Sequence, residues 1–160
     1  MKTARILIAT GLALTGWAAL AKPAPAPAAP KPADIVAARE AAMGMSATTL
    51  NALKSASTAG TPVKNLAFAA RGLAKWGAAL PAMFAPSTRA VPSRAKPEVW
   101  GDSAGFTAKA KEFGAATEGL LAATQADDKT AFDAALARTG AACKGCHDSF
   151  QVPPPAAKPG

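Results

Sequence analysis

Large apolar side chains recur three or four residues apart along most of this chain, against a background of alanine, and strand-like alternation appears nowhere. That period commits the chain to helices. A first segment starts near Asp34, a residue suited to an N-cap, and runs to about Ser57, with Val36, Arg39, Met43, Ser46, Leu50 and Leu53 on one stripe. A second opens with Thr61-Pro62, a cap followed by proline at the first helical turn. It carries Leu66, Ala69, Leu73, Trp76 and Leu80 before Pro81 stops it. A third begins at Asp102 or Ser103 and carries Phe106, Phe113, Leu120 and Leu121. The fourth begins near Asp127-Asp128, acids that suit a helix N-terminus, and its stripe is Phe132, Leu136, Thr139, Cys143, Cys146 and Phe150. Residues 81–101, with four prolines and a closing glycine, form a long connection, and the other two links are short. Four amphipathic helices of roughly 20 residues joined in this way predict an all-α fold. The expected architecture is an antiparallel, up-down-up-down four-helix bundle over residues 34–151.

The two ends lack this pattern. Lys2 and Arg5 precede an apolar run from Ile6 to Leu20, and Ala19-Leu20-Ala21 offers the small residues a signal peptidase needs. The run is about 15 residues long, short of the roughly 20 that span a bilayer. Residues 1–21 therefore read as a cleaved signal peptide rather than an anchor, and the expected destination is a bacterial periplasm. No other segment is apolar enough to cross a membrane. Residues 22–33, rich in proline and alanine, read as an extended linker, and residues 152–160, with Pro153-Pro154-Pro155, as a similar tail. The formal charge of +8 falls to +6 once Lys2 and Arg5 leave with the leader. This surplus is scattered, tyrosine is absent, and no basic run alternates with stacking rings, which argues against nucleic acid. It favours an acidic protein partner or an anionic surface.

Both cysteines and the only histidine fall in one pentapeptide, Cys143-Lys144-Gly145-Cys146-His147. On a helix Cys146 lies about 60° to one side of Cys143 and His147 about 40° to the other. All three then project from the face assigned to the core. The pattern is that of covalent haem attachment: two thiols add across vinyl groups on one edge of a planar macrocycle, and the imidazole reaches the iron at its centre. Other readings compete less well. A disulfide is the ordinary state of two cysteines in an exported chain, but it leaves the adjacent histidine incidental. Zinc wants four ligands and finds three, and a thioredoxin-like pair needs a βαβ context. One covalent haem c is expected, held by Cys143 and Cys146, with His147 as an axial iron ligand.

With no second histidine, and no methionine after the motif, a sixth ligand has to come from Met43, Met45 or Met83. Met43 lies on the stripe of the first segment. Met45, about 200° around the helix, serves only if a competing stripe through Ile35, Ala42 and Met45 faces inward. Met83 belongs to the long connection, where packing against Trp76 or Phe84 is its ordinary role. Core filling is the common use of any methionine; the need of the haem iron makes Met43 the expected ligand. Arg39, one turn earlier on the same side, needs a partner for its charge. A haem propionate is one such partner, and water at the bundle edge is the other.

On these residues the chain resembles the class II c-type cytochromes, the cytochrome c prime family, over roughly Asp34 to Gln151. The marks are the C-terminal Cys143-x-x-Cys146-His147, Arg39 four residues before Met43, and Ala95-Lys96-Pro97-Glu98-Val99-Trp100 followed by Phe106. The resemblance implies a bundle with haem near its C-terminal helix, and one of two branches. Members with an apolar residue at the position of Met43 leave iron five-coordinate and high-spin, and bind nitric oxide or carbon monoxide. Members with methionine there are six-coordinate, low-spin electron carriers, and this sequence resembles them. Gln151, four residues past the histidine, departs from the basic residue the family often has at that place.

The expected function is one-electron transfer between periplasmic redox proteins, with an acidic partner surface. The alternative is a gas-binding haem module with an open distal site. A haem-free helical interaction module would make the motif accidental. No catalytic base and nucleophile stand together, so no enzyme is expected, and homodimerisation of the bundle is left open.

Overall fold

The computed structural model describes residues 29–154. The expected signal peptide over 1–21, most of the linker over 22–33 and the end of the tail over 152–160 lie outside the described residues. Five helices follow one another: α1 (Pro32–Thr58), α2 (Ala67–Ala79), a single turn α3 (Glu98–Gly101), α4 (Ser103–Gln125) and α5 (Lys129–Phe150). The long ones, α1, α2, α4 and α5, form the four-helix bundle, with α4 packed most broadly against α5 and α2. Among the described residues no helix is long and apolar enough to cross a membrane.

Local chemistry sets the helix ends, and two differ from expectation. Helix α1 begins at Pro32 with Lys31 as N-cap, so Asp34 sits inside the first turn and meets the helix dipole instead of capping it. Its other end closes on Gly60, at φ +78°, whose left-handed turn lets Gly60 N–H reach the Ser57 carbonyl and Thr61 N–H the Ala56 carbonyl. Thr61-Pro62 does not start an α-helix directly, because Pro62 is not helical at ψ 127° and a 3-10 turn over Val63–Leu66 intervenes. The exposed N–H of Lys64 in that turn is satisfied by Asp127 Oδ1, from the link between α4 and α5, at 3.1 Å. Helices α4 and α5 start as expected, with Asp102 accepting from Gly105 N–H and Asp128 from Ala131 N–H, each at 2.9 Å.

The stripes of α1, α4 and α5 face inward as the periodicity predicts: Val36, Arg39 and Leu53, then Phe106, Phe113 and Leu120, then Phe132, Thr139 and Phe150, are buried. Helix α2 is rotated from its expected stripe. Ala70, Ala74 and Gly77 are buried beside Leu73, while Leu66, Ala69 and Trp76 are only half-buried. The reason is close packing against α4: a methyl group on Gly77 would lie 2.5 Å from Thr117 Oγ1 and 3.1 Å from Gly114 Cα. Small residues draw the two backbones together, so the small face turns inward.

One end of the bundle is a closed core of Leu53, Val63, Leu73, Leu120 and Phe132 with intervening alanines. The other end, which carries Met43, Leu80, Phe113 and Cys143, is more loosely filled. The connection between α2 and α4 wraps this second end. Its 3-10 turns and α3 bring Phe84 and Val99 against Phe106 and Phe150. The Trp100 indole donates to the Phe84 carbonyl at 3.0 Å, and the segment at Ala95 pairs with Gln151 just past α5.

Candidate haem site

The helical phase of α5 does what the spacing of the motif predicts. Cys143, Cys146 and His147 are all half-buried on the inward side, whereas Lys144 is exposed and pairs with Asp148 at 2.6 Å. Both cysteines are free thiols. Burial pushes both thiols above their ordinary value, so they are held protonated. Burial, with the Arg94 charge nearby, lowers the His147 pKa against the opposing pull of Asp148. A neutral imidazole with a free lone pair is the form a metal needs.

Two cavities of about 440 Å³ each open at this end of the bundle, and Met43, Leu80, Cys146 and His147 line both. The first continues between Arg39, Phe84, Arg94, Phe106 and Phe150. The second continues between Leu50, Trp76, Phe113 and Cys143. The cavities thus meet along a wall formed by α1 on one side and the cysteine-histidine face of α5 on the other. Their linings are mainly aromatic and aliphatic, with Arg39, Glu40 and Arg94 on the first cavity, and with two thiols, one neutral imidazole and one thioether as the donors suited to iron and its macrocycle. Trp76 Nε1 is a buried side-chain polar atom with no hydrogen-bond partner among the described residues. A flat apolar macrocycle joined at two thiols fits this donor set and these walls, and no cluster of three or more His, Cys, Asp or Glu side chains among the described residues offers a metal a competing place.

The three candidate methionines separate cleanly. Met43 is half-buried on the walls of both cavities. Met45 is 70% exposed, so the stripe through Ile35, Ala42 and Met45 does not face the core. Met83 lines neither cavity, and its carbonyl accepts from Arg39 Nη1 at 3.0 Å. Arg39 itself is 3% exposed, so its head is not in water at the bundle edge. Its second terminal nitrogen donates to Ser93 Oγ at 3.2 Å, and its guanidinium lies 4.2 Å from the centre of the Phe84 ring. Desolvation lowers its pKa, and nearby Glu40 opposes the shift.

Sequence reasoning gave no role to Ser93, Arg94 or Lys96, all of which bear on this end. Arg94 lines the first cavity, and Lys96 Nζ donates to the Asp148 and Ser149 carbonyls at 3.0 and 3.1 Å, closing the last turn of α5. Their proline-bounded segment has no helical period to betray which side chains turn inward. The available signal was the pair of basic residues, Arg94 and Lys96, set between Pro92 and Pro97.

A protein-family model described as Cytochrome C' matches residues 34–151 of the chain. A curated cytochrome c' of Rubrivivax gelatinosus is 48% identical over 69 residues, covering 42% of this chain and 54% of that protein. The chain thus spans about half the length of the curated relatives it matches. The crystal structure of cytochrome c' from Rubrivivax gelatinosus superposes with a TM-score of 0.70 at 34% identity, covering 76% of this chain and 98% of that one. A ferrous variant of cytochrome c prime from Alcaligenes xylosoxidans with bound NO gives a TM-score of 0.69 at 29% identity, covering 78% and 98%.

Proposed function

The chain belongs to the cytochrome c' family, whose members hold haem c covalently, and from that premise we propose that it is a periplasmic one-electron carrier with His147 and Met43 as axial ligands. The observation that carries this reading is that Met43 and His147, from the neighbouring helices α1 and α5, line the same two cavities. When bound, the haem supplies the ferric/ferrous couple. The protein supplies the rest. Cys143 and Cys146, kept protonated by burial, present thiols for addition to the two vinyl groups. His147 offers a neutral nitrogen, and the thioether of Met43 reaches across from α1. Phe84, Phe106, Phe113 and Leu80 give the slot apolar walls, and a coordinating sulfur favours the ferrous state.

The leader-like residues 1–21 support export, and the positive surplus supports partners with acidic docking faces. Lys144 is a weaker steering charge than its place in the motif suggests, since Asp148 neutralises it locally.

A second reading has its own support. The structurally similar Alcaligenes xylosoxidans protein has been captured with NO, and a haem whose distal side is open or easily vacated is a gas-binding module. The absorption and electron-spin-resonance spectra of the ferric and ferrous holo-protein separate the two. The carrier reading expects a low-spin ferric haem that takes up carbon monoxide poorly. A high-spin resting haem that binds carbon monoxide or NO at once replaces that reading with the gas-binding one.

A further inference from the structure

Two arginines reach the wall of the first cavity, and their terminal nitrogens are not equally available. Arg39 is buried, with Nη1 donating to the Met83 carbonyl at 3.0 Å and Nη2 to Ser93 Oγ at 3.2 Å. Arg94 is exposed on the same wall, beside His147 and Gln151. It donates only through Nε, to the Val152 carbonyl at 3.0 Å, and neither of its terminal nitrogens has a partner among the described residues. Its backbone is fastened to the end of α5: Val152 N–H donates to the Arg94 carbonyl at 2.8 Å, and Lys96 N–H to the Phe150 carbonyl at 2.9 Å. The helix that carries the haem motif therefore also fixes where Arg94 begins.

A haem attached at Cys143 and Cys146 brings two propionate carboxylates with it. A carboxylate at the edge of an apolar slot is costly without a cation or several donors, and a guanidinium with both terminal nitrogens free offers the paired geometry that suits it. Glu40 is the only carboxylate on that wall among the described residues and repels such a group. We propose that Arg94 anchors a haem propionate through its paired terminal nitrogens. Arg39 is then a positioning residue, which holds Met83, Ser93 and Phe84 of the connection against the slot. The inference rests on haem attachment through the motif and is independent of the sixth ligand.

The test uses holo-protein whose haem carries ¹³C at the propionate carboxyls, in the wild type, Arg94→Gln, Arg94→Lys and Arg39→Lys. Redox-induced infrared difference spectra report the labelled carboxylates, and potentiometry reports the midpoint potential. Arg94 is exposed, so its variants fold. Arg94→Gln should shift a labelled carboxylate band and lower the potential, because losing a cation beside the macrocycle favours ferric iron. Arg94→Lys should recover the potential but not the band, since an ammonium cannot make the paired contact. Arg39→Lys should disturb the band less than Arg94→Gln does, since it acts only through Ser93 and the connection. An unchanged band and potential in Arg94→Gln overturns the proposal, as does a shift confined to Arg39→Lys. The spin state of the same samples reads the Met43 ligation separately, so a high-spin wild type counts against that reading alone.

Discussion

Met43 on α1 and His147 on α5 line the same two cavities, while Met45, two residues beyond Met43, is 70% exposed. The two methionines therefore give a matched pair of variants. Met43→Leu should convert a low-spin ferric haem to a five-coordinate, high-spin one that binds carbon monoxide readily and has a lower potential, because a ligand that favours ferrous iron is gone. Met45→Leu should leave the spectra unchanged. The reverse pattern would mean that Met45 is the ligand, against its exposure.

The closed core at one end and the cavities at the other predict how the protein responds to losing its haem. Cys143→Ala or Cys146→Ala should abolish stable attachment, leaving the slot walls without the surface they pack on. None of the buried residues of the Leu120–Phe132 core lines either cavity, and Leu50 is where core and cavity meet, so helix there should persist. Hydrogen exchange of the Cys143→Ala apoprotein should show fast exchange in the first half of α1 and the last half of α5, and slower exchange around Leu53, Leu73 and Phe132. Uniform protection equal to that of the holo form would show that haem is not a structural part of the bundle.

Much of this arrangement was legible in the sequence because large residues report their phase. Val36, Leu53, Phe106, Phe113, Phe132 and Phe150 all turned inward as the period required, and the cysteine-histidine motif fell on the expected face of α5. Helix α2 was not legible, because alanine and glycine carry no phase of their own. Its orientation depends on the approach of Gly77 to Gly114, a fact of tertiary packing. Arg39 showed a different limit. Periodicity put it inside correctly, but its partners, Met83, Ser93 and Phe84, belong to a connection with no period. Arg94 and Lys96 were hidden for the same reason.

The Gly77 contact can be tested by pairing it with a glycine on the open side of the same helix. Gly77→Ala brings a methyl to 2.5 Å from Thr117 Oγ1 and 3.1 Å from Gly114 Cα. The neighbour that must yield at Gly114 is backbone, so the cost should be about 1–3 kcal/mol. Gly72 is exposed and has nothing within 4 Å of an added methyl. Gly72→Ala should therefore stabilise the helix by up to about 1 kcal/mol. Denaturant melts of the two holo-variants measure both signs, and a neutral Gly77→Ala would show that α2 can slide away from α4.

Far from the haem, Ser57 on α1 donates to Asp133 Oδ1 at 2.5 Å, and Lys129 donates to Asp133 Oδ2 at 2.7 Å and to Ser57 Oγ at 3.0 Å. The hydroxyl is buried while the carboxylate is exposed. The hydrogen bonds from Lys129 and then Ser57 hold the Asp133 carboxyl below its ordinary value of 3.8. A carboxyl whose folded pKa is depressed binds its proton more readily when unfolded, so it favours the fold above the ordinary value and ceases to as pH falls through the depressed one. The thermal midpoint of the wild-type holo-protein should therefore drop in acid with a component owed to Asp133. In Asp133→Asn that component should vanish, leaving a shallower acid slope and a lower midpoint at neutral pH. Ser57→Ala should reduce the slope only in part, since Lys129 remains as the stronger donor. If Asp133→Asn and wild type run parallel through the acid range, the carboxylate is not stabilised in the fold and the link between α1 and α5 does not depend on its charge.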